Sequence, residues 1–389
     1  MPPKRYSNGN FKETLLENLK SVSGIYIPSF YSVFYFSDGR VREIVPKKGA
    51  AKQVRRRAVA TLKEVPHSPV VTSGSVFRNM FLVELSRGCP YRCRFCLAKF
   101  LTCKFRTAPE DEIKAVVARG LDYCRRVGFV GTGFSSSDAL NEICDFILGE
   151  GGEISFSSLR LTPQVREVFV RYGSRICMNT ITVAPEVAAP HLYKIINKHP
   201  VEFDQKAIKE FLEIGVKKIK MYFLIGVPGE KDEDVEAIAD FAGQFRQGKE
   251  KFSVVLSVNP LIPKPFTPLQ WWGMERKETV RERAEILKRA VRKTSGVVVK
   301  IESLRMAELQ AVLSRGDRLV GKAILKTVQK GATASEFFRE MKTSGLAPEF
   351  YVHRERDAKE IMPWDVLEYP YSKQELCEEY AKVREAIGK

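Results

Sequence analysis

Acidic residues are in short supply in this chain, with 47 Asp and Glu against 64 Lys and Arg, a formal charge of +17. Histidine is scarce too: there are four in 389 residues, and none lies near the tightest group of cysteines. No run of about 18 apolar residues occurs, so no membrane-spanning helix is expected. The opening residues, Met1 to Asn10, are polar, and Phe11 to Lys20 interrupts any apolar core with charge, so no secretory leader is expected. A cytoplasmic location follows as the expectation. Thiols stay reduced there, and the eight cysteines read as buried thiols or metal ligands before disulfides. There is no internal repeat and no low-complexity tract.

The excess charge is uneven. Met1 to Val70 holds thirteen Lys or Arg against five acids, an excess of eight. Such a field favours a polyanionic partner through steering and counterion release. RNA, an anionic membrane surface and an acidic electron-transfer protein all fit, as does a basic surface that simply keeps the chain soluble.

A length of 389 residues accommodates one α/β barrel with smaller appendages. Gly24 to Pro28, the aromatic run Phe30 to Phe36 and the turn Ser37-Asp38-Gly39 predict a strand-rich N-terminal extension over residues 1–76. Six short β-branched or aromatic runs then alternate with helical patterns: Met80 to Leu85, Phe129 to Gly131, Ile154 to Ser157, Thr180 to Val183, Ile219 to Ile225 and Val254 to Val258. That alternation predicts a parallel sheet. Helices are expected after Pro109, over Phe203 to Ile214 with a stop at Gly215, and over Asp232 to Phe245. Beyond Pro260 the texture changes to prolines and charged helix. The expected organisation is therefore a barrel over 77–265 and a mainly helical region over 266–389.

At the end of the first strand stands Gly88-Cys89-Pro-Tyr-Arg-Cys93-Arg-Phe95-Cys96. Gly88 frees the backbone to wrap around something bulky. Thiolates hold iron-sulfur clusters, and a cubane closed by protein takes four of them. Three leave one iron open, as catalysis needs. Cys103 could act as a fourth ligand, or could be a core thiol of the stretch Phe100 to Phe105. Zinc is a minority reading. Cys124, Cys144, Cys177 and Cys377 stand singly, so a second cluster is not expected.

The spacing C-x3-C-x2-C, with an aromatic before the last cysteine and an αβ series around it, resembles the radical S-adenosylmethionine (SAM) superfamily. Further stretches are similar to the catalytic half of B12-binding-type radical SAM proteins: Ser157 to Arg160, Thr180 to Glu186, Lys220 to Glu230, Pro263 to Trp271, Leu313 to Arg318 and Pro363 to Asp365. Each sits at a predicted strand end or following loop, where ligand groups are expected. The resemblance implies a partial (β/α)6 TIM-like barrel and a [4Fe-4S] cluster on Cys89, Cys93 and Cys96. It implies SAM on the open iron, reductive cleavage to a 5′-deoxyadenosyl radical, and hydrogen abstraction from an unidentified substrate. By family position Phe95, Gly131 and Gly133 belong to the SAM site, Ser158, Arg160 and Glu186 to its sugar or methionine contacts, and Gly226 and Gly229 to the turn beside adenine. A low-potential donor of the flavodoxin or ferredoxin type is implied as partner, and Arg87, Arg92 and Arg94 beside the cysteines are candidates for docking it unless local carboxylates such as Glu84 take them. Only about 70 residues precede the barrel, and His67, His191, His199 and His353 lie in no Asp-x-His-x-x-Gly element. Cobalamin is therefore not expected. The alternatives are a radical SAM methyltransferase or methylthiotransferase acting on RNA, lipid or a small molecule, and a non-catalytic iron-sulfur or nucleic-acid-binding protein.

Overall fold

The computed structural model describes residues 9–102, 104–132, 137–156, 163–176, 180–200, 210–213, 215–245 and 253–389. A helix over Gly9–Lys20 leads into an antiparallel hairpin, Tyr31–Tyr35 with Val41–Pro46. The hairpin turn is tied by the Arg40 amide donating to Asp38 Oδ1 at 3.0 Å.

Seven parallel strands follow: β1 Phe81–Glu84, β2 Arg126–Val130, β3 Glu153–Phe156, β4 Thr180–Glu186, β5 Lys218–Ile225, β6 Ser253–Pro260 and β7 Val297–Ile301. They pair as β1-β2-β3 and as β4-β5-β6-β7, and a single parallel bridge from Ile154 to Ile176 continues the first set toward β4. Six lie where the β-branched runs predict them. The seventh was unexpected, because it falls within the stretch that reads as mainly helical. Val297–Ile301 is short and partly exposed on both faces, which hides it from pattern reading.

Along β4, β5 and β6 burial alternates residue by residue, as a strand with two unlike faces demands. Ile181, Met221, Phe223 and Leu256 point to the face covered by helices. These helices include α1 Glu110–Leu121, α2 Ser137–Gly149, α3 Pro163–Tyr172, α4 Asp232–Gln244 and α5 Lys277–Val291. Three acids in the first turn of α1 complement its dipole. Gly120 lets that helix lie directly on the Phe81 ring, where a Cβ would collide. Val280, Ala284, Leu287 and Val291 of α5 join the same core. The expected helix over Phe203 to Ile214 falls mostly outside the described residues, and 210–213 are helical.

The N-terminal extension packs on the C-terminal region. Val54–Arg55 pairs in parallel with Leu367–Glu368, and the Arg318 guanidinium donates to the Tyr31 and Pro28 carbonyls at 2.6 and 2.5 Å. Among the described residues no helix is long and apolar enough to cross a membrane.

Candidate active site

β1 ends in a clasp, Ser86–Arg87 paired antiparallel with Arg106–Thr107, which closes the cysteine loop on itself. Gly88 enters that loop at φ +89°, a left-handed conformation that glycine adopts without steric cost. The Leu85 amide donates to the Val130 carbonyl, and the Thr132 hydroxyl donates to the Gly88 carbonyl. These bonds fasten the loop to the end of β2. Gly131 lies so close that a Cβ there would stand 2.6 Å from Ser86 Oγ.

Cys93 is buried; Cys89 and Cys96 are partly so. The Cys96 amide donates to the Cys93 carbonyl at 3.1 Å, and Cys96 stands in extended conformation just before the short helix Leu97–Leu101. Burial pushes the Cys96 thiol up, and the neighbouring Cys89 and Glu186 push the same way. Among the described residues no three His, Cys, Asp or Glu side chains gather tightly enough for a single ion. A cubane asks less convergence of its ligands, since each thiolate goes to a different iron. Three thiols on one loop, with no fourth ligand beside them among the described residues, therefore fit an iron-sulfur cluster better than a compact zinc site.

The other described cysteines stand apart as core thiols. Cys144 is fully buried, and desolvation pushes its thiol up to about 12. Cys124 is buried with its sulfur facing the Asn79 and Arg126 carbonyls. Cys377 packs beside the cluster of Trp271, Trp364 and Tyr380. Cys103 and Cys177 lie outside the described residues.

Glu186 closes β4 at φ +72°, where the pairing with β5 slips by a residue. Burial raises its carboxyl, while Lys198 Nζ at 3.2 Å pulls the other way. The same ammonium donates to the Ala184 carbonyl at 2.5 Å. Lys198 also acts on Cys96, so the pair stands beside the cysteine loop. The sequence reading missed Lys198: it lies twelve residues beyond Glu186, and the helix Pro190–Ile196 folds it back.

Gly226 and Gly229 follow β5 at φ +81° and +74°. The Gly226 amide donates to Glu230 Oε2 at 2.6 Å, and Arg283 of α5 grips the same oxygen at 3.0 Å and the Glu230 carbonyl at 2.6 Å. Desolvation raises the Glu230 carboxyl to about 7, against the pull of the Gly226 amide and Arg283. A Cβ on Gly229 would meet Ile387 at 2.6 Å, so the C-terminal end of the chain seals this turn.

Phe95 packs against the cluster containing Leu192, Ile196 and Val227, which anchors the loop between its second and third cysteines. Gly133, Ser158 and Arg160 lie outside the described residues.

Two expectations need correcting. Arg87 and Arg94 do not offer their charge to a partner. Arg87 forms a fork with Glu84 at 2.8 and 2.5 Å. Arg94 is buried, with Nε on Glu379 at 2.9 Å and Nη1 on the Lys194 and Ile195 carbonyls. Arg92 alone of the three is exposed. The second correction concerns the motif stretches beyond Pro260, which build scaffold. Arg315 is 1% exposed and donates to the Trp272 and Arg354 carbonyls. Asp317 caps the helix Arg318–Gln329. Trp364 Nε1 donates to Gln270 Oε1 at 2.8 Å, and Asp365 accepts from the Met362 amide. Local charge matching and interior hydrogen bonds claimed these groups, because a buried guanidinium or indole without partners is costly.

The chain is 29% identical over 291 residues to an uncharacterised protein of Methanocaldococcus jannaschii, covering 74% of this chain and 61% of that one. It thus spans about three fifths of that relative's length. It is 22% identical over 191 residues to the ribosomal protein uS12 methylthiotransferase RimO of Klebsiella pneumoniae, 43% of each chain. Among solved structures, a radical SAM methyltransferase, TsrM, from Kitasatospora setae aligns at TM-score 0.40 and 13% identity, over 68% of this chain and 60% of that one. Methylornithine synthase aligns at TM-score 0.35 and 14% identity, over 67% and 84%. Likeness at this level leaves the reaction open. Residues 83–242 match the radical SAM superfamily, whose enzymes use a [4Fe-4S] cluster and SAM, and this segment of the chain is a radical SAM domain.

Proposed function

We propose that this enzyme cleaves SAM reductively and abstracts hydrogen from a substrate held on the inner face of its sheet. The single observation that supports the reading is the loop after β1, which carries Cys89, Cys93 and Cys96 together on one clasped segment. The [4Fe-4S] cluster, bound by Cys89, Cys93 and Cys96, would supply the electron and the vacant iron at which SAM is split into methionine and a 5′-deoxyadenosyl radical.

The protein's own groups would hold and shield. Glu186 and Lys198, a half-neutralised pair at the end of β4, suit the amino and carboxylate ends of methionine. Gly226 and Gly229 hold this turn in left-handed conformations, and by family position it would lie beside adenine. Gly131 lies beside the cysteine loop, and Phe95 steadies that loop from the helix side. Gly133, Ser158 and Arg160 complete the proposed contacts by family position.

The reductant would be a low-potential flavodoxin or ferredoxin. Arg92 and the basic N-terminal extension remain for an acidic or polyanionic partner, including RNA or an anionic membrane. Arg40 and Arg42 stand over Phe36 and Phe34 at 5.5 and 5.6 Å, a surface of stacked cations and rings. The methylthiotransferase relatives favour a second reading, transfer of a methylthio group. The isolated, buried Cys124 and Cys144 offer no second sulfur site for it.

The test is anaerobic reconstitution followed by dithionite and SAM. Release of 5′-deoxyadenosine supports hydrogen abstraction. Methylthioadenosine or S-adenosylhomocysteine as the sole product would move the assignment to transfer chemistry, and no SAM turnover with a full cluster would sink both.

A further inference from the structure

The inner face of β4 to β7 carries side chains that the cofactor site leaves unused. Because strand residues alternate sides, Lys220, Tyr222 and Leu224 share the face opposite the helix-packed Ile219, Met221 and Phe223. The register sets Lys220 beside Thr182 and Val255, Tyr222 beside Ser257, and Ser257 beside Lys300. Two short polar rows cross the sheet. Glu186 pairs with Phe223, so the Tyr222 row lies about 3 Å below the end of the sheet that carries the cysteine loop.

The charge on this face is one-sided. Lys220 Nζ donates to Tyr222 Oη at 2.8 Å and lies 4.6 Å from its ring centroid. That bond orders the ammonium but leaves its charge unneutralised. Among the described residues neither Lys220 nor Lys300 has a carboxylate partner. The acids on this side are engaged: Glu84 with Arg87, Glu153 with Arg126, and Glu186 with Lys198. Glu302, just beyond β7, acts on Lys264. Two cations flanked by the Tyr222, Ser257 and Thr182 hydroxyls make a donor-rich surface, with no carboxylate ion-paired to either cation among the described residues.

We infer that Lys220, Tyr222 and Lys300 form the substrate subsite of this enzyme and bind an oxyanion, a carboxylate or phosphate, on the substrate. The inference rests on the radical SAM reading for its location and adds the chemical class of the substrate. A charged donor beside a hydroxyl favours an anionic oxygen over a neutral carbonyl, because charge-assisted bonds are the stronger. A purely apolar substrate would leave the half-buried Lys220 ammonium without an anionic partner, a cost such groups rarely bear.

The experiment uses the full chain, reconstituted with its cluster, titrated calorimetrically with inorganic phosphate and with malonate, and with choline as a cationic control. One anion should bind saturably, phosphate or malonate telling the two sources of the oxyanion apart, and choline should not. Lys220→Met and Lys300→Met should each weaken binding by about tenfold or more, the loss of one charge-assisted bond. Lys220→Arg should retain most of it. A melting midpoint near that of the wild type confirms that Lys220→Met still folds; if it does not, Lys300→Met and Lys220→Arg decide the question. Binding that is equal in all variants, or no saturable binding of either anion, overturns the inference. So does a parallel loss of SAM affinity, which would put Lys220 in the cofactor site. Dithionite-dependent SAM cleavage by the same wild-type preparation tests the underlying reading separately. Its absence with anion binding intact would sink the class of reaction and leave the anion site standing.

Discussion

Arg94, between the second and third cysteines, is bonded to Glu379 of the C-terminal helix Lys373–Ala386 at 2.9 Å, 285 residues away in sequence. The guanidinium also caps the carbonyl end of the helix Pro190–Ile196, so one side chain joins the cysteine loop to two distant elements. Removing Glu379 strands a guanidinium that is largely withdrawn from water, at a cost on the order of 3 kcal/mol. Glu379→Ala should lower the denaturation midpoint and loosen iron retention on dialysis, with Glu379→Asp intermediate. Unchanged stability and unchanged iron would show that the loop holds itself.

Cys93→Ala should abolish the cluster's visible absorbance, whereas Cys144→Ala should keep it. The latter leaves only a small cavity in the core, costing about 1 kcal/mol. Iron and acid-labile sulfide per chain check both. Full iron in Cys93→Ala, or none in Cys144→Ala, contradicts the ligand assignment.

Gly131→Ala should destabilise by about 1–3 kcal/mol, because its methyl group would press on Ser86 Oγ. Since the neighbouring backbone atoms of Ser86 stand farther off, at 3.3 and 3.5 Å, Ser86→Ala in the same chain should restore part of the loss. A denaturant titration of the two single variants and the double variant measures the coupling. Strict additivity would mean the clash is relieved elsewhere.

Glu230 supplies a pH dependence. Its folded pKa, raised to about 7 by desolvation, lies above the ordinary value of 4.5. Between those values the folded state binds more proton than the unfolded chain, so this group's contribution to stability falls as pH rises from about 4.5 to about 7 and is level above. Glu230→Gln should flatten the wild-type profile over that interval, measured as melting temperature against pH. A wild-type profile that does not fall there, or one that falls just as steeply in the variant, would show that Arg283 holds the carboxylate ionised throughout.

The sequence alone determined the parallel architecture and the cysteine loop. β-branched runs bounded by turn residues can be read locally, and three cysteines within eight positions must share a loop whatever surrounds them. Tertiary structure decided how the charges are spent. Whether Arg94 meets a protein partner or Glu379, and whether Arg315 reaches a ligand or the Trp272 carbonyl, depends on elements brought together from the far end of the chain. β7 and Lys198 belong to the same category. A half-exposed edge strand and a lysine folded back across a helix have no periodicity to reveal them, because their roles come from pairing and packing at long range.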